Sequence, residues 1–380
     1  MAKAAPLFGL KALKERVLDP GLCTHCGACV NLCPYAVAYK DRTILLDDCN
    51  REEGRCYAFC PRTPADLQSL REQFFDPQDM TPELGPMKGF FLVRAADPQI
   101  RRDGQHGGTV TALLSFALET GKIDLAVIAG QSPDLLPFGI VAQTPREIRN
   151  GAKSKFVAAP TLATLNKVLK ESPQRVGIVA TPCQALALAK MRAKPLPSPD
   201  RNIDQVKLII GLFCGWALSW SALAKWMEAK FGNTPILGLD IPPSQHHSME
   251  VHTPGGIVPI DLGEVLPMVR PACRYCPDMT AEFADLSIGS ARLPEGWEAA
   301  RGWNQVIVRS DRGAALMDSA RKQGVLEFRH VPEGNLDRLK RASLQKKRNA
   351  LKNLAQKSGK ARDFIYLDPR DPLLQLAMGE

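Results

Sequence analysis

Residues 23–34 read CTHCGACVNLCP, a run that spaces four cysteines as Cys23-x2-Cys26-x2-Cys29-x3-Cys33 and closes them with Pro34. This is the bacterial ferredoxin interval, in which three thiolates grip one [4Fe–4S] cluster and the cysteine before proline serves its neighbour. A cubane needs one soft thiolate on each iron, and two-residue gaps let a single tight loop cover three corners. The fourth corner must come from a distant piece of chain, and a second Cys-Pro pair, Cys60-Pro61, offers it. The pairing rule sets Cys23, Cys26 and Cys29 with Cys60 and sends Cys33 to a second group. Zinc would be satisfied by four ligands and has no use for the repeated Cys-Pro pair. The stretch implies a chain that moves electrons through a small ferredoxin-like domain.

The second half-motif departs from the pattern. Counting back from Cys56 in the same register asks for cysteines at positions 53 and 50, where Glu53 and Asn50 stand, and Cys49 lies one residue off register. Cys33, Cys49 and Cys56 therefore leave a second cluster one ligand short. Glu53, or Asp48 nearby, is expected as a harder, carboxylate fourth ligand. A three-iron cluster, an external ligand, and a Glu53 that is only solvated on its loop stay open as alternatives.

Of the eleven cysteines, Cys183, Cys214 and the pair Cys273-x2-Cys276 remain. Cys183 follows the strand expected at Val176–Ala180 and opens a helix, while Cys214 closes the apolar run Leu208–Phe213. Both stand at strand ends, where loops of an α/β domain gather. Together the four supply what a third [4Fe–4S] cluster needs, and no cysteine is left over.

Composition fits a redox enzyme of a reducing compartment. Eleven cysteines in metal-type spacing point away from disulfides and toward a cytoplasmic location. The N-terminal MAKAAPLFGLKALKERV has no continuous apolar core or cleavage site. The longest uncharged stretch, Leu208 to Ala224, contains Gly211, Cys214, Gly215, Ser219 and Ser221 and suits strand–turn–helix better than a membrane span. Residues 338–362 carry ten Lys or Arg and no acid, which more than accounts for the net charge of +9. Leu339, Leu344, Leu351 and Leu354 give that segment a helical apolar stripe. A solvated helix, a docking surface for an acidic partner and steering of an anionic substrate are the readings it allows. No nucleic-acid motif accompanies the charge.

The organisation expected is α+β to α/β. Residues 1–65 form the ferredoxin-type domain, 66–88 a polar, Pro-containing linker, 89–330 a mixed-sheet α/β domain, and 331–380 a basic helix and tail. Strands are expected at Ile123–Ala129, Phe138–Ala142, Val176–Ala180, Lys207–Phe213, Val306–Arg309 and Leu326–His330. Helices are expected at Ala112–Leu118, Leu162–Leu169, Ala185–Arg192 and Ser219–Phe231, the last with a serine cap. Thr253-Pro254-Gly255-Gly256 reads as a hairpin turn. Gly107 and Gly108, just ahead of a helix, would let backbone amides approach a phosphate, and Lys153 and Lys155 add two cations.

An ordered set of motifs then stands out. Gly107-Gly108-x-Val110-Thr111-Ala112-Leu113-Leu114, Lys153-Ser154-Lys155-Phe156, Thr181-Pro182-Cys183-Gln184 and Phe213-Cys214 come first. Arg270-x2-Cys273-x2-Cys276-x-Asp278, Ala284-Asp285-Leu286-Ser287-x-Gly289 and Gly302-Trp303-Asn304-x-Val306-x-Val308-Arg309 follow. Over roughly residues 89–330 this resembles the β subunit family of the coenzyme F(420)-reducing hydrogenases and formate dehydrogenases. The resemblance implies FAD and a [4Fe–4S] cluster in that domain, three [4Fe–4S] clusters in all. By position, Gly107, Gly108, Thr109 and Thr111 would hold FAD with Lys153 and Lys155. Thr181, Pro182 and Gln184 would lie close to the flavin, and Asp285, Ser287, Gly289, Asn304 and Arg309 would complete the pocket. Cys183, Cys214, Cys273 and Cys276 would ligate the proximal cluster. His106 would act on the flavin or serve the structure alone. No catalytic acid–base residue is implied, because the chemistry is centred on FAD.

The function implied is interconversion of hydride transfer at FAD with one-electron transfer through the clusters. The hydride carrier would be F(420) or NAD(P)H. The partner would be a formate dehydrogenase or hydrogenase catalytic chain, or another Fe–S protein. The alternative is an electron-transfer adaptor between such proteins, with no small-molecule substrate of its own.

Overall fold

In the computed structural model, residues 8–171, 173–193, 202–242 and 247–379 are described. The expectation of a leaderless N-terminus falls partly on residues 1–7, outside the described residues. Eight strands make the central sheet, in the order Leu326–Arg329, Gly89–Ala95, Asn304–Val308, Leu286–Ser290, Val206–Leu212, Val176–Ala180, Leu125–Gln131, Pro137–Ala142. The four from Leu286–Ser290 to Leu125–Gln131 run parallel, and every other pairing is antiparallel. The sheet is therefore mixed, as its alternating strand-like and helix-like segments suggested.

The parallel strands are near-continuous apolar runs because both their faces are covered. Val127, Ile178 and Ile209 point into a core that also takes Leu162 and Leu165 of the helix Thr161–Val168 and Leu188 of the helix Pro182–Arg192. Ala126, Ile128, Leu208 and Ile210 point the other way, against Leu113 and Phe116 of the helix Thr109–Glu119 and Met317 of the helix Asp311–Lys322. The period-two alternation of a strand makes this division. At the carboxyl ends of Val176–Ala180 and Val206–Leu212 the chain delivers Cys183 and Cys214.

A small lobe is built from the helix Trp220–Phe231 and the antiparallel strands Gly238–Asp240, Ser248–Thr253 and Gly256–Asp261. The hairpin turns where expected, with Thr253 opposite Gly256. Ser219 does not cap its helix by side chain. Its hydroxyl instead donates to Asp41 Oδ2 at 2.9 Å, tying the lobe to the N-terminal region.

That region holds a hairpin, Ala36–Tyr39 with Arg42–Leu45, and a core of Leu10, Leu13, Val17, Leu22 and Tyr57 among the cysteines. It sits directly on the sheet domain. Gly27 has φ +86°, and a Cβ there would stand 2.6 Å from Ala163 N and 2.7 Å from Pro160 O. Only glycine lets the cysteine loop come this close. Residues 66–88, expected as a linker, are instead packed. The helix Leu67–Phe74 buries Leu67 and Leu70, and its Arg71 pairs with both Glu282 and Asp371 in the interior. The basic segment is the helix Asn335–Ser358, which buries Leu339, Ala350, Leu351 and Leu354 and turns Arg338, Arg341, Arg348 and Lys352 outward. Among the described residues, no helix is long and apolar enough to cross a membrane.

Candidate redox site

The thiols are gathered by loops that the sheet and its helices fix. Burial pushes Cys26, Cys29, Cys56, Cys60, Cys183, Cys214 and Cys273 above the usual thiol range, and the thiols near each of these raise it further. Cys26 is raised by Cys183, Cys60 and Cys23, and Cys29 by Cys23, Cys26, Cys60 and then Cys56. Cys56, pushed to about 11 by burial, has Cys33 and Cys49 as its thiol neighbours. Cys214 has Cys273, Cys183 and Cys276. Three groups result: Cys23, Cys26, Cys29 and Cys60; Cys33, Cys49 and Cys56; Cys183, Cys214, Cys273 and Cys276. Among the described residues, no three His, Cys, Asp or Glu side chains close around a single metal ion. A cubane is a wider body, with each thiolate on a different iron. Cys26 feels the charge of Cys183 and Cys29 that of Cys56, which sets the groups in series with the Cys60 group in the middle.

Cations brace this series through backbone carbonyls of the cysteine loops. Lys190 donates to Cys60 O at 2.7 Å and to Thr63 Oγ1 at 2.7 Å. Its burial draws its pKa down to about 8, against the pull of Cys60. Lys346 donates to Cys214 O, and Arg270 to Cys23 O at 3.4 Å and Asp41 O at 2.6 Å. Asn166 donates to the carbonyls of Gly27, Ala28 and Val30, holding the loop of the first three cysteines in place. Sequence reading missed Lys190, Asn166 and Arg62, took Arg270 only as the head of a cysteine motif, and took Lys346 only as part of a basic run.

A cavity of about 490 Å³ opens beside the Cys183 group, at the carboxyl ends of the parallel strands. Its wall includes Gly108, Thr109 and Thr111, Lys153 and Lys155, Thr181, Pro182 and Gln184, Gly289 and Asn304. The thiols Cys183, Cys214, Cys273, Cys276 and Cys26 line the same space. Gly108, at φ +68°, precedes a helix with no side-chain cap, and Asn304 accepts from Thr109 N at 3.3 Å while donating to Gly289 O at 3.3 Å. Thr181 and Gln184 form a reciprocal capping box at the start of the helix that carries Cys183. Lys155 Nζ is held by the carbonyls of Gly151, Ala152 and Lys153, and burial lowers its pKa to about 8. Two buried atoms of residues in the wall, His106 Nδ1 and Thr161 Oγ1, have no hydrogen-bond partner among the described residues. A ligand with polar edges would satisfy such atoms, so the lining fits a flavin.

Several expected residues stand elsewhere. Arg309 is fully enclosed, and its guanidinium donates to Ser287 Oγ at 2.6 Å, Leu84 O and Pro86 O at 2.8 Å, and Thr280. Ser287 passes its own proton to Ala281 O at 3.1 Å. Asp285 accepts from Ile209 N at 2.8 Å and Ser310 Oγ at 2.6 Å. These three fasten loops to strand ends and do not reach the cavity wall. Gly107 is a packing glycine, since a Cβ would lie 2.7 Å from Asn304 Oδ1 and 3.1 Å from Val93 O. Glu53 and Asp48 are both exposed, Glu53 on the bend before Gly54.

A parallel-centred sheet with thiol groups and a cavity at its carboxyl edge defines an iron–sulfur protein of the oxidoreductase class. Residues 16–38 match the 4Fe-4S binding domain, residues 90–166 the N-terminal part of the coenzyme F(420) hydrogenase/dehydrogenase beta subunit, and residues 173–333 its C terminus. The coenzyme F(420) hydrogenase subunit beta of Methanothermobacter thermautotrophicus is 32% identical over 279 residues, covering 72% of this chain and 95% of that protein. The coenzyme F(420)-dependent sulfite reductase of Methanocaldococcus jannaschii is 29% identical over 331 residues, 82% of this chain but 48% of that protein. A chain of the F(420)-reducing [NiFe] hydrogenase complex from Methanosarcina barkeri superposes with a TM-score of 0.65 at 25% identity, covering 73% of this chain and 94% of that one. The chain belongs to the coenzyme F(420) hydrogenase/dehydrogenase beta subunit family.

Proposed function

We propose that this chain interconverts hydride transfer at FAD with one-electron transfer through three [4Fe–4S] clusters, as one component of a larger complex. The observation that carries the reading is the single cavity whose wall joins the expected flavin-holding residues to the thiols of two cluster groups. FAD, once bound, supplies the exchange between two-electron and one-electron chemistry. The uncapped start of the helix Thr109–Glu119 favours an anion, such as a pyrophosphate, with Lys153 and Lys155 adding positive charge nearby. Thr181, Pro182 and Gln184 keep the flavin side of the cavity against Cys183. The thiols of the three groups would hold the clusters, and the carbonyl-bound cations around them would counter the negative charge of the thiolates. Glu53 and Asp48, being exposed, leave the fourth ligand of the Cys33 group to a carboxylate swing or an external donor.

The relatives named for F(420) make that deazaflavin the preferred hydride carrier over NAD(P)H, and their naming as subunits favours a separate catalytic chain as partner. Anaerobic addition of reduced F(420), NADH or NADPH to the purified holoprotein tests this. Flavin bleaching by reduced F(420), followed by cluster EPR signals, is the expected result. No bleaching by any of the three, with dithionite still reducing the clusters, would overturn it in favour of an adaptor without a substrate of its own.

A further inference from the structure

Arg62 belongs to one thiol group by its backbone and to another by its side chain. Its N–H donates to Cys60 Sγ at 3.4 Å. Its guanidinium crosses to the proximal group, where Nη1 donates to Tyr275 O and Nη2 to Ala272 O, both at 3.1 Å. These are the carbonyls immediately before Cys276 and Cys273. Tyr366 closes the third side. Its hydroxyl accepts from Arg62 Nη1 and donates to the same Tyr275 carbonyl at 2.6 Å, and the Arg62 Cζ stands 5.0 Å from its ring centroid. Arg62 is 4% exposed, and its residue also lines the cavity with Cys26, Cys183, Cys273 and Cys276.

Among the described residues, no carboxylate forms an ion pair with Arg62. A buried cation without a counter-charge costs several kcal/mol, a cost that negative charge standing beside it removes. Arg71, deeply buried at the same edge, has two carboxylates, whereas Arg309, fully enclosed, is held by carbonyls and hydroxyls. What stands beside Arg62 is thiols of two groups. A cubane on four thiolates is a net anion, and reduction adds one more negative charge.

We propose that Arg62 is the shared counter-ion of the two neighbouring cluster sites, the Cys60 group and the Cys183 group, and that it sets their reduction potentials together. The proposal rests on the reading of both groups as cluster sites. Arg62 is a positioning residue: it touches the loops of the ligands and acts through its charge. One cation favouring the reduced state of both clusters raises their potentials together and opens no gap between them, so that an electron can pass in either direction. The third group, Cys33, Cys49 and Cys56, lies beyond the Cys60 group and serves as an internal reference.

The test is an EPR-monitored redox titration of the holoprotein, resolving the three clusters in wild type, Arg62→Gln, Arg62→Lys and Tyr366→Phe. In Arg62→Gln the ratio of reduced to oxidised cluster at a fixed potential should fall about tenfold at both the Cys60 and Cys183 sites, while the Cys33 cluster stays unmoved. For a one-electron couple tenfold corresponds to about 59 mV. Arg62→Lys, which keeps the charge, and Tyr366→Phe, which keeps the arginine, should both titrate close to wild type. A fall at one cluster only, an equal fall at all three, or no fall overturns the proposal. If Arg62→Gln fails to load its clusters, Arg62→Lys decides: retention of both clusters and potentials supports the charge role, and their loss overturns it. A wild type with fewer than three clusters would defeat the underlying reading itself, before any variant is compared.

Discussion

The N-terminal region and the eight-stranded sheet hold themselves together by different means. The sheet is covered on both faces, and residues such as Val127, Ile178, Ile209 and Ile210 are wholly removed from water. Burial of that kind is self-sufficient. The N-terminal region has a two-stranded hairpin, a handful of buried apolar side chains, and cysteines in between. A two-stranded hairpin is marginal by itself. Its order comes from the clamps of Asn166, Lys190 and Arg270 and from whatever its thiols bind. The sheet domain is thus self-supporting, whereas the N-terminal region leans on that domain and on what its thiols hold.

Removing iron should separate the two most sharply. Chelation under reducing conditions is expected to abolish amide-exchange protection through residues 8–64 while the central strands stay protected; simultaneous loss in both would erase the distinction. A core truncation should act on the other side. Ile210→Ala, at a position fully out of solvent, is expected to lower the stability of the sheet by about 4 kcal/mol in denaturant unfolding, with cluster content unchanged in the fraction that remains folded.

The pH response belongs to the N-terminal region. His25 is completely buried, and desolvation, helped by the Arg270 charge, lowers its pKa from 6.5 to about 4. The unfolded chain takes up a proton that the folded chain refuses, so stability is lost as pH falls from about 6.5 to about 4, by about 3 kcal/mol in total. His25→Asn suits the left-handed backbone at this position and should flatten that stretch of the stability–pH curve. An unchanged slope would remove His25 from the account. The smallest effect is expected from Asn166→Ala, which frees three loop carbonyls: about 2 kcal/mol, read as faster loss of cluster absorbance in denaturant than of sheet signal.

What the sequence disclosed was what lies within a few positions. The cysteine intervals are local, and so are the apolar runs: Val176–Ala180 was legible to the residue, and its parallel neighbours to within two. Gly108, Thr109, Thr181 and Gln184, read from motifs at helix starts, stand together in the cavity wall, and such motifs are also local. Asp285, Ser287 and Arg309, expected at the flavin pocket, stand off the wall of the cavity beside Cys183, because a polar residue beside a strand end can serve the ligand or the backbone. Here Arg309 spends its donors on carbonyls from positions 84, 86 and 280. Asn166 and Lys190 carried no signal, and Arg270 none of its reach to Cys23, since their partners lie more than a hundred positions away. The helix at Leu67–Phe74 was hidden by the polar composition of its flanks, and is fixed by an ion pair to residue 371.

The two bonds that close this edge of the molecule, Arg62 to Tyr366 and Arg71 to Asp371, join positions 304 and 300 apart. At roughly 5–20 residues per second of synthesis, the later partner follows the earlier one by about 15–60 s. For that interval the cysteine loops exist on the growing chain without the segment that shuts them in. The thiols stay open to whatever loads them until then, and the arrival of Tyr366 acts as a latch timed by translation.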